Sequence, residues 1–387
     1  CGVCIVEFEL SEEHNLIRET ARRIAEAELL PRAAQTDKEG LFPREQMKLL
    51  AENGFLTMLV PEEFGGTNAG SVGYSLALTE IARACGSTAV TMAVTNMVAD
   101  AINAFGNDDQ KRKWIPKIAN GEMSCAAFSL SEPGSGSDAA SLKATAVKDG
   151  DDYIINGEKC WVTSGDQAGL ILVMAKTDTS QRSRGISTFL IEPGTPGFSV
   201  GRHEEKMGLR GSSTVSLSFQ DARVPASNRL GPEGIGFKIA MRALDGGRIG
   251  IASQALGIHQ SCLENSRKYS LDRKQFSKPL ANFQAIQFKI ADMATAYDAS
   301  RMLILKAATR KDAGLPFTQD ASMAKLFATE AANQAALEAI QIHGGYGYTD
   351  EFPVERHLRD VRVTTIYEGT SEIQRLVIAR EALGQGK

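Results

Sequence analysis

Apolar positions change their period twice along this 387-residue chain. At first they recur at helical spacing. Ser11 can cap a helix carrying Leu16, Ile17, Thr20, Ile24 and Ala25 on one face, with Pro31 ending it. Pro43 suits the first turn of a second helix, with Met47, Leu49 and Leu50 apolar and Gly54 closing it. Two more apolar helices are expected at about 71–85 and 88–105, and a short one from Trp114 to Gly121. From about 122 to 232, β-type runs take over, such as Tyr153-Ile154-Ile155, Leu170 to Val173 and Ser187 to Ile191. Asp149-Gly150, Asn156-Gly157 and Pro193-Gly194 read as the turns between them. After Pro232, helical patterns return at about 234–270, 283–312, 318–343 and 370–383. The order predicts a mainly α chain with a β middle domain, a small barrel or sandwich, divided at 1–121, 122–232 and 233–387. No βαβ alternation appears, which argues against a doubly wound parallel sheet.

Composition narrows the function classes. Hydrophobic residues are 43% and charged residues 23%, as in ordinary globular proteins. A net charge of −4 offers no nucleic-acid surface. No apolar run approaches the roughly 18–20 residues that span a bilayer. The sequence opens with neither a Met nor a basic segment leading into an apolar run; the expectation is a processed or recloned chain without a secretory signal. Six scattered cysteines fit a reducing compartment. Cys1 and Cys4 form a C-x-x-C with no second pair, which reads as a terminal tail and not as a metal site.

Several segments carry candidate chemistry. In Ile366-Tyr367-Glu368-Gly369-Thr370-Ser371-Glu372-Ile373-Gln374, one carboxylate precedes a glycine and a helix start. Ser371 with Gln374 has capping-box spacing. Glu368 there is either a helix-dipole partner or a general base. Phe128 to Asp138, with Leu130, Ser131, Gly136 and Ser137, offers close backbone approach and hydroxyls, or a plain turn. Trp161 and Thr163 can lay a ring and a hydroxyl against a planar cofactor, or belong to a β core. In Leu244-Asp245-Gly246-Gly247-Arg248 a glycine pair interrupts a helical pattern, at a cost of roughly 1–2 kcal/mol against alanine that calls for close packing or space for a ligand. Arg273 and Phe276, followed by Gln284, make a cationic corner that can bind a diphosphate. Gln341, Gly344 and Gly345 flank His343, which reads as a capping or packing residue.

Each segment alone has an ordinary structural explanation. Taken together and in this order, they resemble the acyl-CoA dehydrogenase flavoproteins over nearly the whole chain, the short-chain (butyryl-type) and branched-chain members most. That resemblance implies a helical N-terminal domain, a β domain, a C-terminal four-helix bundle and a homotetramer. It implies FAD between the β domain and the bundle. Phe128, Leu130, Ser131, Gly136 and Ser137 would line the flavin and the thioester end, Trp161 would cover the ring, and Thr163 would bond near the hydride-accepting nitrogen. Thr370 and Glu372 would meet the phosphate and adenosine part. Arg273, Phe276, Gln284, Gln341, Gly344 and Gly345 would complete the cofactor site, largely from a neighbouring subunit. Ser137, Leu244, Asp245, Arg248, Tyr367 and Gly369 would contact the acyl-CoA. Glu368 would abstract the α-proton while hydride leaves the β-carbon for flavin N5. The thioester oxygen would accept from the Glu368 N–H and a ribityl hydroxyl. Electrons would pass to an electron-transferring flavoprotein.

Isovaleryl-type members carry their base where this chain has Gly247, so Glu368 is the base expected here. Gly246 and Gly247 also suggest a pocket wide enough for branched or alicyclic acyl groups. An acyl-CoA oxidase, an enoyl-CoA reductase or a non-catalytic flavin- or CoA-binding subunit are the competing expectations. No metal, nucleic acid or membrane is expected. The compartment expected is a bacterial cytoplasm, or a mitochondrial matrix if a leader has been removed.

Overall fold

A computed structural model describes residues 10–384, so Cys1 and Cys4 lie outside the described residues. Ser11 caps helix α1 (Glu12–Ile24), its Oγ accepting from the His14 N–H at 3.2 Å. Pro31 does not end the helical path. The chain widens into one π turn (Ala25–Leu29), tightens into a 3₁₀ turn (Leu30–Arg32) and resumes as α2 (Ala33–Glu39). The irregular turns absorb the bond that proline cannot make, and left-handed Gly40 closes the segment. Of the expected apolar face, Ile24 and Ala25 are buried while Leu16 is 65% exposed; Ala21 and Leu29 are buried as well. Helix α3 (Arg44–Glu52) ends before left-handed Gly54. Helices α4 (Gly70–Ala84) and α5 (Gly86–Phe105) are buried almost all round. Helix α6 (Asp108–Ala119) starts earlier than expected, because Asn107 and Gln110 form a capping box.

The middle region forms one mixed sheet. Its strands are β1 (Ala126–Ser129), β2 (Thr145–Asp149), β3 (Asp152–Thr163), β4 (Leu170–Lys176), β5 (Ile186–Ile191), β6 (Phe198–His203), β7 (Thr214–Pro225) and β8 (Arg229–Leu230). The spatial order is β6-β7-β3-β2-β4-β5-β8, with β1 parallel to β4. Asp149-Gly150 is the β2–β3 hairpin, as expected. Asn156-Gly157 is not a turn. It lies inside β3 at a bulge opposite β7, where a Cβ on Gly157 would stand 2.7 Å from that of Ala144.

Helix α7 (Gly236–Asp272) leads through the short hairpin β9 (Lys274–Gln275) and β10 (Lys278–Pro279) to α8 (Gln284–Asp312) and α9 (Thr318–His343). Helix α10 (Val354–Val361), which the apolar pattern did not announce, precedes α11 (Ser371–Ala382). The N-terminal helices are fastened to the C-terminal ones. Asp312 at the end of α8 accepts the Ser71 and Val72 amides at 2.6 and 3.0 Å, capping α4. Asp37 of α2 receives Arg359 of α10 through two bonds, at 3.0 and 2.7 Å. Arg83 of α4 reaches Glu264 of α7 at 3.2 Å.

Candidate active site

The turn Tyr367–Thr370 runs into α11. Thr370, not Ser371, is the N-cap, its Oγ1 accepting from Ile373 N–H at 3.3 Å. The expected capping box does not form. Glu368 (φ 54) and Gly369 (φ 86) are both left-handed, which turns their carbonyls toward the interior, where they need donors. Buried Gln374 supplies them, its Nε2 bonding Glu368 O at 3.2 Å and Gly369 O at 2.9 Å. Lys325 of α9, also fully buried, donates to Gly369 O at 2.6 Å. A left-handed non-glycine residue costs about 1–3 kcal/mol, so these bonds hold a strained backbone in place.

The Glu368 Oε2 is buried and has no hydrogen-bond partner among the described residues. Burial raises its pKa to about 7, against the pull of Lys325 and Arg248, which favour the charged form. Gly247 faces it: a Cβ there would lie 2.8 Å from Oε2 and 3.0 Å from the Met97 sulfur of α5. The helix therefore accepts the cost of glycine at 247 to leave room at the carboxylate. Gly246 points elsewhere, toward Lys311, which pairs with Asp100 at 2.9 Å. The Tyr74 hydroxyl fills the space beside Gly250. The Tyr367 hydroxyl bonds Gln254, which in turn donates to Gly86 O at 3.1 Å.

Asp245 and Arg248 are placed behind the base. Arg248 is only 5% exposed, bonds Asp245 at 2.5 Å and reaches Ser322 at 3.4 Å, while Thr318 donates to the other Asp245 oxygen at 2.7 Å. Leu244 packs, half-buried, against the main core.

On the β domain, Phe128 and Ser131 are half-buried and Leu130 is buried. Below them Glu132 accepts the Lys143 and Ala144 amides at 2.6 and 3.0 Å and pairs with fully buried Lys159 at 2.8 Å. This clamp fixes both ends of the loop and leaves Gly136 and Ser137 exposed, with open space around Gly134 and Gly136. Trp161 is not a core tryptophan; Trp114 is. A left-handed backbone (φ 58) at a bulge holds Trp161 65% exposed, two residues before half-buried Thr163.

The remaining predicted residues gather at a different place. Arg273, Gln341, Gly344 and Gly345 line a cavity of about 620 Å³ that neither Trp161 nor Glu368 enters. Phe276, 90% exposed, stands at the left-handed tip of the β9–β10 hairpin, and exposed Gln284 opens α8. His343 packs, as expected: it is buried, its Nδ1 lies 2.7 Å from Ala339 O, and it stacks on Tyr269. The Glu372 carboxylate is held below its ordinary pKa by its own backbone amide and the Thr370 hydroxyl.

Sequence reasoning missed Lys325 and the Glu132–Lys159 pair. Lys325 had a visible signal. Ala321, Ala324, Ala328 and Ala332 form a stripe of small buried residues, and a lysine one helical turn after Ala321 falls on it.

Models of the acyl-CoA dehydrogenase N-terminal, middle and C-terminal domains match residues 11–122, 127–222 and 234–383. Two helical regions flanking a β sheet, with a buried unpaired carboxylate between the helical ones, are thus those of the acyl-CoA dehydrogenase family, to which the chain belongs. The mitochondrial short-chain specific acyl-CoA dehydrogenase of Rattus norvegicus is 51% identical over 377 residues, covering 97% of this chain and 91% of the relative. Acryloyl-CoA reductase (NADH) of Anaerotignum propionicum is 45% identical over 98% of this chain and 96% of its own. The structure of butyryl-CoA dehydrogenase from Megasphaera elsdenii superposes with a TM-score of 0.96 at 42% identity, over 98% of this chain and all of that one.

Proposed function

We propose that this chain oxidises a short acyl-CoA thioester to the 2-enoyl-CoA, with Glu368 as the base. The observation that carries this is the buried, unpartnered Glu368 Oε2 seated against Gly247: an acceptor without a donor, whose burial raises its basicity. A carboxylate near its ordinary value of about 4.3 is a weak base for a carbon acid, and one near 7 is better matched. A bound acyl chain would desolvate it further. The Glu368 N–H has no protein acceptor among the described residues, leaving it free to donate to the thioester oxygen.

The residues present fit FAD: an exposed tryptophan held out by strained backbone, a clamped loop with open space at two glycines, and a cavity lined by Arg273, Gln341 and two glycines. FAD, when bound, supplies the hydride acceptor opposite the base. Phe128, Leu130, Ser131, Gly136, Ser137, Trp161, Thr163, Thr370 and Glu372 would hold it from one chain, and Arg273, Phe276, Gln284, Gln341, Gly344 and Gly345 from its neighbour. The separation of these two groups within one chain supports a homotetramer that shares its cofactor sites. Tyr367 and Gly369 would wall the acyl group, Ser137 would touch the coenzyme A portion, and Leu244, Asp245 and Arg248 would support that side. Electrons would pass to an electron-transferring flavoprotein. The domains would divide at 121/122 and 232/233. No described helix is long and apolar enough to cross a membrane. A bacterial cytoplasm or a mitochondrial matrix would suit relatives of these kinds.

The test is anaerobic bleaching of the purified flavoprotein by straight, branched and cyclic acyl-CoAs. Bleaching by short chains, with branched or cyclic groups tolerated because 247 carries no side chain, is the expected result. A sharp optimum at the straight four-carbon chain removes the wider pocket, and a colourless protein removes the reading. The acryloyl-CoA reductase likeness favours a second direction at the same site, seen if acryloyl-CoA reoxidises the reduced enzyme faster than propionyl-CoA reduces it.

A further inference from the structure

Lys325 is a cation placed where a cation is costly. Its side chain is fully buried in α9, on a stripe otherwise made of alanine, serine and threonine. An uncompensated buried ammonium costs several kcal/mol, so its retention needs a compensating partner. Among the described residues its ammonium hydrogen-bonds no carboxylate, and the acidic groups acting on it are Glu368, Glu372 and Glu330. Its bond is to the Gly369 carbonyl at 2.6 Å, one residue after Glu368.

We propose that Lys325 is a positioning residue for the base: its buried ammonium, anchored on the Gly369 carbonyl, locks the left-handed Glu368–Gly369 turn and keeps a positive charge beside the Glu368 carboxylate. The inference rests on Glu368 being the base.

Two bonds hold the Gly369 carbonyl, from Gln374 Nε2 and from Lys325 Nζ, but only the second brings charge. The charged groups that act on the carboxylate are Arg248 of α7 and Lys325 of α9, both favouring its ionised form. Tyr74 of α4 and the adjacent Tyr367 face it as neutral hydroxyl groups, and Asp100 of α5, which faces Tyr74, is paired with Lys311 of α8. Lys325 itself faces Glu368, Arg248, Glu372 of α11 and Glu330 of its own helix. Burial lowers its pKa to about 8, so it carries its charge at neutral pH. Arg248 is already engaged by Asp245, which leaves Lys325 as the cation whose charge is not neutralised by a bonded carboxylate.

The experiment compares Lys325→Met and Lys325→Arg in the flavin-loaded enzyme by the pH profile of kcat/KM. Loss of the cation destabilises the carboxylate, so Lys325→Met should move the acid limb up by about 1 pH unit, with roughly tenfold lower kcat/KM below the limb. Lys325→Arg keeps the charge and should keep the limb, even if turnover falls. Flavin content and the spectral shift on binding a non-reacting thioester analogue are measured in parallel. An unmoved limb in Lys325→Met, with flavin retained, overturns the proposal, as does an equal shift in both variants. If Lys325→Met does not fold, Lys325→Gln takes its place with the same readings. Glu368→Gln serves as the separate control: if that variant keeps wild-type activity, the base assignment fails, whatever Lys325 does.

Discussion

Gly247 and Glu368 confront each other across the gap between α7 and the turn before α11, so closely that a methyl group on the glycine would stand 2.8 Å from Oε2. Gly247→Ala should therefore displace the carboxylate or the acyl chain. A displacement near 1 Å at a reacting group costs on the order of 100-fold in rate. The variant should bind flavin normally and lose about that much kcat, read by steady-state turnover beside the flavin absorbance.

Replacing the base separates rate from stability. Glu368→Gln should keep flavin and thioester binding but lose on the order of 10³-fold in kcat, within the range for general bases. Its effect on folding has the opposite sign. Burial raises the Glu368 pKa from 4.5 to about 7, so the stability it contributes in the neutral form is present below about 4.5 and is lost as pH rises through 7. Glutamine removes that loss, on the order of 3 kcal/mol. The variant should melt above wild type at pH 8 and level with it at pH 4.5, by calorimetry on protein with equal flavin content.

The same raised value sets the activity profile. The base acts ionised, so kcat/KM should climb with pH through about 7 in the free enzyme and level off above it. A limb below pH 5 would show that the carboxylate is not buried in solution.

Breaking the Glu132–Lys159 clamp should be expensive. Lys159→Met leaves Glu132 buried without its cation, and losing one partner of a buried pair costs about 3–5 kcal/mol. Denaturant titration should show it, together with flavin loss on gel filtration, because Glu132 also ties Lys143 and Ala144 at the far end of the loop.

Trp161→Ala should act in the opposite way. The side chain is 65% exposed, so the apoprotein should change by less than about 0.5 kcal/mol, while flavin fluorescence and release should rise. A large drop in apoprotein stability would return Trp161 to a structural role.

The long helices and the strands were legible because their buried faces are apolar and periodic. What escaped the reading has polar residues buried. Helix α10 buries Arg356, His357 and Asp360 beside Val354 and Val361, so polar residues break up its apolar face. Pro31 reads as a stop because sequence alone does not announce a π turn that bypasses it. Glu368 could be located from its motif, but not its left-handed backbone, and without that geometry Gln374 looks like a cap partner when it is a donor to the turn. Lys159 and Lys325 are each explained by partners distant in sequence, Glu132 and Gly369.

The fastenings between the two helical regions have a mechanical consequence. Asp312 on the α4 amides, Arg359 on Asp37 and Arg83 on Glu264 stitch together the walls that contribute Tyr74 and Met97 on one side and Gly247 on the other. Walls stitched in this way do not swing apart as a hinged jaw. A cut near residue 121 or 232 would therefore leave the halves still joined and melting together as one cooperative body.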